Sequence, residues 1–227
     1  MTLTFTTSRR PELFLTTIRS MALKCLDLEM VRSIVIFDDA SPGWDRSLMM
    51  SSAKTFFPGR EVLIFTKPWI RGHAQIMQDW HSRLSGEFLF HCEDDWEFTT
   101  RGCPILSALD VMLCRPDVGQ VSFSREAPLS EVDRTPGGTD YWVWFYSGAK
   151  RSEDGIHYTW PRFTLNPGVF RVSELMRVGN FDAVKEFEFS YGLRWCESGI
   201  QTAYLRQPFV RHIGSDNSAY ALNCSER

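Results

Sequence analysis

The chain has 227 residues, of which 43% are hydrophobic and 23% are charged, and its formal net charge is −3. This length and composition predict one well-buried globular domain rather than a disordered chain. The slightly negative charge and the lack of any lysine or arginine run argue against a nucleic-acid partner or an anionic membrane.

The six cysteines form no CxxC pair and have no zinc-ligand spacing, so reduced thiols in an intracellular protein are expected. The first residues enter a predicted strand without the basic and apolar regions of a signal peptide. No apolar run approaches the roughly 20 residues that a transmembrane segment needs. We therefore expect a soluble, cytoplasmic protein, although a domain cut from a longer chain would have the same features.

Short apolar runs alternate with helical spacings over the first 98 residues. Strands are predicted over 3–7, 33–38, 61–66 and 88–92, and helices over 11–28, 46–56 and 73–85. Strict alternation favours an α/β fold with a parallel sheet, in which ligands bind beyond the carboxyl ends of the strands. The sequence contains neither GxGxxG nor GxxxxGK[ST], so dinucleotide binding and P-loop phosphate binding are not supported.

The pattern is looser after residue 98. Helices are predicted over 104–114, 173–178 and 186–197, and strands over 119–124, 203–205 and 208–212. The long segment between 125 and 163 contains few periodic elements, and loops of this length usually have a function. Its aromatic residues Trp142, Trp144 and Trp160 predict either a local core or a platform for a sugar ring or apolar acceptor.

Three adjacent carboxylates, Glu93, Asp94 and Asp95, directly follow the apolar strand in GEFLFHCEDDWEF. Such carboxylates repel one another unless a cation holds them. Residues two apart on a strand point the same way, so Glu93 and Asp95 are predicted to share one ion. Oxygen ligands suit Mg2+ or Mn2+ carrying phosphate better than zinc. The alternative is a solvated acidic turn.

Six motifs occur in an order that is familiar from one family. They are TSRRPELF (7–14), FDDAS (37–41), the acidic run (86–98), NPGVFRVSELMRVGNFD (166–182), FEFSYGLRWCESG (187–199) and RHIG (211–214). Together they resemble glycosyltransferases of the GT-A fold, particularly the inverting family 2 group. The resemblance implies one GT-A domain over 1–227, with a mostly parallel central sheet. It also implies a Rossmann-like nucleotide-sugar-binding half (1–98) and an acceptor-binding half with the catalytic base (99–227).

The resemblance also implies roles for individual residues. FDDAS is similar to V-D-D-G-S, whose aspartates hold the nucleotide base and ribose, and the acidic run is similar to a strand with the D-x-D metal motif. Glu93 then replaces the first aspartate, Asp95 matches the last, and His212 is the late histidine that completes metal coordination. The implied nucleotide-sugar contacts are Thr7, Asp38, Asp39, Arg71 and Asp94.

The segment FEFSYGLRWCESG aligns with E-D-x-D-L-x-x-R-x-x-x-x-G through Arg194 and Gly199. This alignment implies Glu188 as the catalytic base, with Glu186 as its rival. The implied reaction is a Mn2+- or Mg2+-dependent transfer from a nucleoside-diphosphate sugar to an acceptor hydroxyl, with inversion by direct displacement. The acceptor is a glycan, a lipid-linked sugar or a protein.

Two other functions remain open. A sugar nucleotidyltransferase shares the α/β sheet and the acidic site, but it would carry a glycine-rich loop after the first strand, and TSRRPELF contains no glycine. A non-catalytic carbohydrate- or partner-binding domain of the same fold is compatible with Glu93 in place of the first aspartate, and with Phe187 and Ser190 in place of acidic residues of the base motif. A metal-dependent phosphohydrolase would need a second cluster of carboxylates and histidines, which the sequence does not suggest.

Overall fold

The structure is a computed structural model that describes residues 1–124, 132–144 and 160–214, together with the backbone of 149–152 and 155–158. The strands are β1 (Thr2–Thr7), β2 (Ser33–Asp38), β3 (Glu61–Thr66), β4 (Phe88–Glu93), β5 (Trp96–Phe98), β6 (Val118–Ser122), β7 (Asp133–Arg134), β8 (Asp140–Val143), β9 (Ala149–Ser152), β10 (Gly155–Tyr158), β11 (Gly168–Arg171), β12 (Gln201–Leu205) and β13 (Val210–His212). The helices are α1 (Pro11–Lys24), α2 (Gly43–Phe56), α3 (His73–His81), α4 (Pro104–Cys114), α5 (Val172–Val178) and α6 (Phe187–Glu197). Within these ranges, each helix is too short or too polar to cross a bilayer.

One sheet of nine strands organises the molecule, in the order β3-β2-β1-β4-β11-β6-β12-β8-β7. Strands β3, β2, β1 and β4 run parallel to one another, which confirms the predicted α/β fold and its parallel half. Strand β11 is antiparallel to both β4 and β6 and therefore joins the parallel half to a mixed half. The short hairpin β9-β10 and the pair β5-β13 lie outside this sheet.

The strand register brings the carboxyl ends of the parallel strands to one edge of the sheet. Thr7 pairs with Asp38, and Asp38 pairs with Thr66, while Thr6 is level with Glu93. The chain leaves the sheet at this edge after β1, β2, β3 and β4, so the loops that follow these strands meet there. This edge is where ligands bind in open α/β sheets.

Helices cover both faces of the sheet. Phe14 of α1, Met49 of α2 and Ile105 of α4 belong to one buried cluster, whereas Trp80 of α3 and Trp195 of α6 belong to another. Each helix packs against the sheet, and the central parallel strands β1 and β4 are almost entirely buried, whereas β3 at the sheet edge keeps Leu63 and Phe65 partly exposed. The resulting three layers hold the edge loops on a rigid support.

Gly168, the first residue of β11, lets this strand pack closely between its neighbours. A Cβ at this position would lie 2.5 Å from the Val121 carbonyl oxygen and 3.1 Å from the Ser122 Cα. These are backbone atoms, so they can move only by disturbing the pairing of β11 with β6. We expect Gly168→Ala to lower the free energy of unfolding by about 1–3 kcal/mol, measured by urea denaturation. The control is Gly43→Ala, whose added Cβ would meet only the Arg46 guanidinium at 3.8 Å; equal urea midpoints for the two variants would contradict this account.

Several predicted boundaries differ from the structure because of tertiary contacts. Helix α1 ends at Lys24 rather than near residue 28, since Cys25 pairs with Gly102 and the Leu26 N–H donates to the Gly102 carbonyl at 2.8 Å. Helix α3 ends at His81 rather than at residue 85, because a turn begins at Ser82. Strands β5, β8 and β11 were not predicted, because each has only three or four residues and pairs with a distant part of the chain; β7, also not predicted, has two residues and pairs with β8.

Candidate functional site

The acidic run forms a turn directly after β4, whereas Glu93 and Asp95 were predicted to alternate as residues of a strand do. Strand β4 ends at Glu93, and Asp94 and Asp95 form the turn that leads into β5. The prediction that Glu93 and Asp95 lie two apart on one strand is therefore wrong, because side-chain alternation stops at Glu93. The turn directs the carboxyls to different neighbours: Glu93 lies 3.3 Å from His73 Nε2, and Asp95 lies 3.3 Å from His212 Nε2.

Arg10 is the cation that faces the two aspartates of this turn. Its Nη1 donates to Asp95 Oδ2 at 2.9 Å, its Nε donates to Asp94 Oδ2 at 3.2 Å, and its Nη2 pairs with Asp94 Oδ1. Arg10 lies in the loop after β1, directly before α1, so the register of β1 beside β4 brings it to the turn. One guanidinium thus joins both carboxylates.

Asp94 is fully buried and is held from several sides. Thr7 Oγ1 donates to Asp94 Oδ2 at 2.7 Å, and Thr17 Oγ1 donates to the Asp94 carbonyl at 2.7 Å. Burial raises the pKa of Asp94 to about 7, against the opposing effect of the Arg10 cation. Thr7 and Asp94, both predicted to contact the donor, therefore bind each other and support the turn.

Glu93 and His73 form a second pair at the end of β4, close enough to Asp95 to feel its charge. Burial raises the pKa of Glu93 well above its usual value, and the charges of Asp95 and Glu188 add to this effect. Burial also lowers the pKa of His73 to about 4. At neutral pH the 3.3 Å contact therefore joins a neutral imidazole to a carboxyl that holds its proton more tightly than usual.

Asp95 and His212 are the two predicted metal ligands that the structure brings together. Asp95 Oδ2 lies near His212 Nε2, whereas the buried Asp95 Oδ1 has no hydrogen-bond partner among the described residues. The Ile213 N–H donates to the Asp95 carbonyl at 2.9 Å, and Gly214 packs so closely that a Cβ there would lie 2.8 Å from Asp95 Cβ. The segment after β13 thus closes over Asp95.

This pair fits a divalent ion that is shared with a substrate. In the described part of the chain, no group of three or more His, Cys, Asp or Glu residues is arranged to hold a metal ion. Mg2+ in particular is usually bound through one or two carboxylates, with water and substrate phosphates as its other ligands. Asp95 would supply one such carboxylate and His212 an imidazole, and the buried Asp95 Oδ1 has no hydrogen-bond partner among the described residues that an ion would have to displace. Glu93 lies on the His73 side and is not part of this pair.

Asp38 and Asp39 organise the loops at the sheet edge. Asp38 Oδ2 accepts from the Ser41 N–H at 3.0 Å and from Thr66 Oγ1 at 2.8 Å. The Asp39 carboxylate accepts the N–H groups of Arg71 and Gly72, each at 2.8 Å. Gly72 has φ 89°, a left-handed value that favours glycine and lets the loop turn onto Asp39 before α3. The two aspartates therefore fix the walls of the predicted nucleotide site.

Arg71 was predicted to contact the donor diphosphate. Its Nη1 instead pairs with Asp79 Oδ2 of α3 at 2.7 Å, and its side chain is only 12% exposed. Arg71 therefore ties the loop after β3 to α3, while its backbone N–H binds Asp39. A contact between the Arg71 side chain and a diphosphate stays a prediction, and it would require this ion pair to rearrange.

Glu188 lies in the first turn of α6, on the same side as the acidic run. Its Oε1 accepts the Leu165 N–H at 2.8 Å, and its charge contributes to the raised pKa of Glu93. Glu186 precedes the helix and its side chain is exposed. The positions favour Glu188 over Glu186, and the assignment of the base stays a prediction.

The predicted acceptor platform divides into two parts. Trp142 and Trp144 are buried with Tyr204 in a small cluster, as the alternative prediction of a local core expected. These two rings therefore offer no surface on which a sugar could stack. Trp160 is 46% exposed, with its Nε1 bound to the Phe163 carbonyl at 3.0 Å and its ring against Phe189. Of the three tryptophans, Trp160 is the one that still suits a sugar acceptor.

Arg10 and His73 are the two site residues that sequence reasoning missed. Arg10 had a signal, because it is the arginine that TSRRPELF shares with the family's T-Y-N-R-P motif. Its pairing with Asp94 spans 84 residues of sequence and therefore had no local signature. His73 had no motif context at all, and only the fold brings it beside Glu93.

Comparison with known proteins gives different results for sequence and structure. No protein-family model and no curated protein matches this chain. Among solved structures, the mannosyltransferase PcManGT from Pyrobaculum calidifontis, in complex with GDP-Man and Mn2+, superposes with a TM-score of 0.63 at 17% identity. That match covers 97% of this chain and 59% of the other.

Two further structures have the same architecture. TarS from S. aureus matches with a TM-score of 0.61 at 9% identity, over 92% of this chain and 36% of the other. GalNAc-T7 with UDP, GalNAc and Mn2+ matches with a TM-score of 0.61 at 11% identity, over 92% of this chain and 42% of the other. The chain spans between about a third and three fifths of the length of these proteins. The predicted GT-A fold is confirmed.

Proposed function

We propose that this GT-A chain is a glycosyltransferase that moves a sugar from a nucleoside-diphosphate sugar to an acceptor hydroxyl. The observation that carries the proposal is the Asp95–His212 pair, which lies at the sheet edge together with the loops held by Asp38 and Asp39. The similar structures that contain GDP-Man or UDP together with Mn2+ support the same ligand class for this chain.

Residues 1–98 would bind the donor. Two segments would form the walls of the nucleotide pocket. One is the loop at Arg71 and Gly72, which is bound to Asp39, and the other is the turn at Ser41, which is bound to Asp38. Asp95 and His212 would hold Mn2+ or Mg2+, and imidazole favours Mn2+. When bound, the ion would neutralise the charge that develops on the leaving diphosphate. Arg10 holds one oxygen of the Asp95 carboxylate, Oδ2, through Nη1.

Residues 99–227 would supply the acceptor site and the base. Glu188 is 2.8 Å from the Leu165 N–H, which fixes one carboxylate oxygen and leaves the side chain oriented beside the acidic run. From this position it would accept the proton of the acceptor hydroxyl as that oxygen attacks the anomeric carbon. One base and in-line attack would invert the anomeric configuration. Trp160 would lie on the acceptor side.

The experiment that tests the proposal is a thermal-shift screen of nucleoside diphosphates and nucleotide sugars, with and without Mn2+. A ligand that binds the native state raises the melting temperature by an amount set by its concentration relative to its Kd. We expect one nucleotide to raise the melting temperature when Mn2+ is present, with little or no effect in EDTA. Nucleoside monophosphates serve as matched controls, because they lack the diphosphate that completes the metal site.

A flat response across the whole panel would contradict the proposal. It would instead support a carbohydrate- or partner-binding domain of the same fold, in which Arg10 takes the place of a metal ion beside Asp94 and Asp95. A shift with nucleoside triphosphates and sugar phosphates, but not with nucleoside diphosphates, would favour the nucleotidyltransferase alternative.

A further inference from the structure

Arg10 occupies the position in which a cation is needed, although no motif assigned it a role. Its guanidinium contacts both aspartates of the turn, and its side chain is only 18% exposed. The preceding residue, Arg9, has φ 54°, an unfavourable left-handed value for a residue other than glycine. The Arg9 N–H is held by Ser41 Oγ at 2.8 Å, which fixes this loop to the end of β2. The backbone is therefore locally strained at Arg9, in the loop that positions Arg10.

We propose that Arg10 is a positioning residue that keeps the affinity of the bare protein for a divalent ion low, so that the ion binds firmly only together with a nucleoside diphosphate. This inference rests on the proposed function, since it concerns the same metal pair. It adds an order of binding: the diphosphate and the ion enter together rather than the ion first.

The argument starts from the atoms of Asp95. Its Oδ2 is contacted by Arg10 Nη1 at 2.9 Å and by His212 Nε2 at 3.3 Å, while its Oδ1 has no hydrogen-bond partner within the described residues. An ion bound to this carboxylate would therefore lie within a few ångströms of the guanidinium charge. Two positive charges at that separation repel each other strongly where water is largely excluded. Arg10 thus disfavours an ion that arrives without a counter-charge.

A nucleoside diphosphate changes this balance. The negative charges of the diphosphate would face both the ion and the Arg10 guanidinium. They would therefore offset the repulsion between these two positive charges. The coupling is reciprocal, and the ion must raise the affinity for the diphosphate by the same factor. Because Arg10 already binds both Asp94 and Asp95 before either ligand binds, the turn does not need the ion to keep its shape.

The test measures Mn2+ binding directly, by the electron paramagnetic resonance signal of free Mn2+, with no sugar transfer involved. We compare the unmodified protein, Arg10→Gln and Arg206→Gln. Arg206 is a matched control because it also pairs with an aspartate, Asp140, but in another part of the molecule. Arg206 and Asp140 line a separate cavity of about 540 Å3. We expect Arg10→Gln to bind bare Mn2+ at least tenfold more tightly than the unmodified protein, and Arg206→Gln to leave the affinity unchanged.

The second measurement repeats the Mn2+ titration with the diphosphate selected by the thermal screen. The unmodified protein should bind Mn2+ at least tenfold more tightly when the diphosphate is present, and Arg10→Gln should lose most of this gain. Folded Arg10→Gln with unchanged or weaker affinity for bare Mn2+ would overturn the inference. If Arg10→Gln does not fold, the titrations of the unmodified protein test the inference instead. Equal Mn2+ affinity with and without the diphosphate would overturn the inference.

These outcomes separate the inference from the proposed function. Nucleotide binding in the thermal screen combined with no effect of Arg10→Gln would leave the proposed function intact and remove the role of Arg10. Failure of every nucleotide to bind would remove the proposed function, whatever the Mn2+ titrations give.

Discussion

Asp95→Asn is expected to abolish the metal-dependent part of nucleotide binding and to lower sugar transfer by about 10²–10³-fold. Asparagine keeps an oxygen that can accept from Arg10 and has nearly the same shape beneath Gly214, so the turn should remain folded. It removes the negative charge that would hold the ion beside His212. The measurements are the thermal shift with nucleotide in Mn2+ and the release of nucleoside diphosphate from the selected donor.

The matched control for this variant is Glu97→Gln. Glu97 lies two residues further along the chain, in β5, and its carboxylate pairs with Arg211 next to His212. The substitution removes one negative charge from β5, just after the turn, and leaves Asp95 unchanged. A Glu97→Gln variant as inactive as Asp95→Asn would indicate a loss of the β5-β13 pairing rather than a loss of the ion. An Asp95→Asn variant that keeps the Mn2+-dependent shift would exclude Asp95 as a ligand.

The parallel half of the fold could be predicted because its signals are local. Strands β2 and β3 and helix α4 have the predicted bounds, since each is a short apolar run or an amphipathic segment between clear breaks such as Pro104. Strand β11 was missed because the four residues GVFR, which begin with a glycine, have no strand signature of their own. They form a strand because β4 and β6 offer two open edges to pair with.

The candidate site shows the same limit at the level of side chains. The position of Asp38 and Asp39 at the sheet edge follows from the strand order, but their engagement with Ser41, Thr66 and the loop at Gly72 does not. Motif matching names residues without saying which of them bind one another. Thr7 and Asp94 were each expected to face the donor, and the fold makes them partners.

The second prediction concerns Glu188, the proposed catalytic base. Glu188→Gln is expected to leave nucleotide and Mn2+ binding unchanged while lowering the rate of transfer by about 10²–10⁴-fold, the usual contribution of a general base. Glutamine keeps an oxygen that can accept the Leu165 N–H, so the first turn of α6 should stay in place. What is lost is the group that accepts the proton. The measurements are the nucleotide Kd from thermal shift and the rate of diphosphate release at saturating donor.

The matched control is Glu186→Gln, because the two glutamates lie two residues apart at the start of α6 and were both candidates for the base. Glu186 is exposed and precedes the helix, whereas Glu188 is partly buried and close enough to Glu93 to raise its pKa. A base must lie near the site where the donor reacts, and only Glu188 has a described contact with that region. Transfer that survives in Glu188→Gln but is lost in Glu186→Gln would move the base to Glu186 and require α6 to rotate when the acceptor binds.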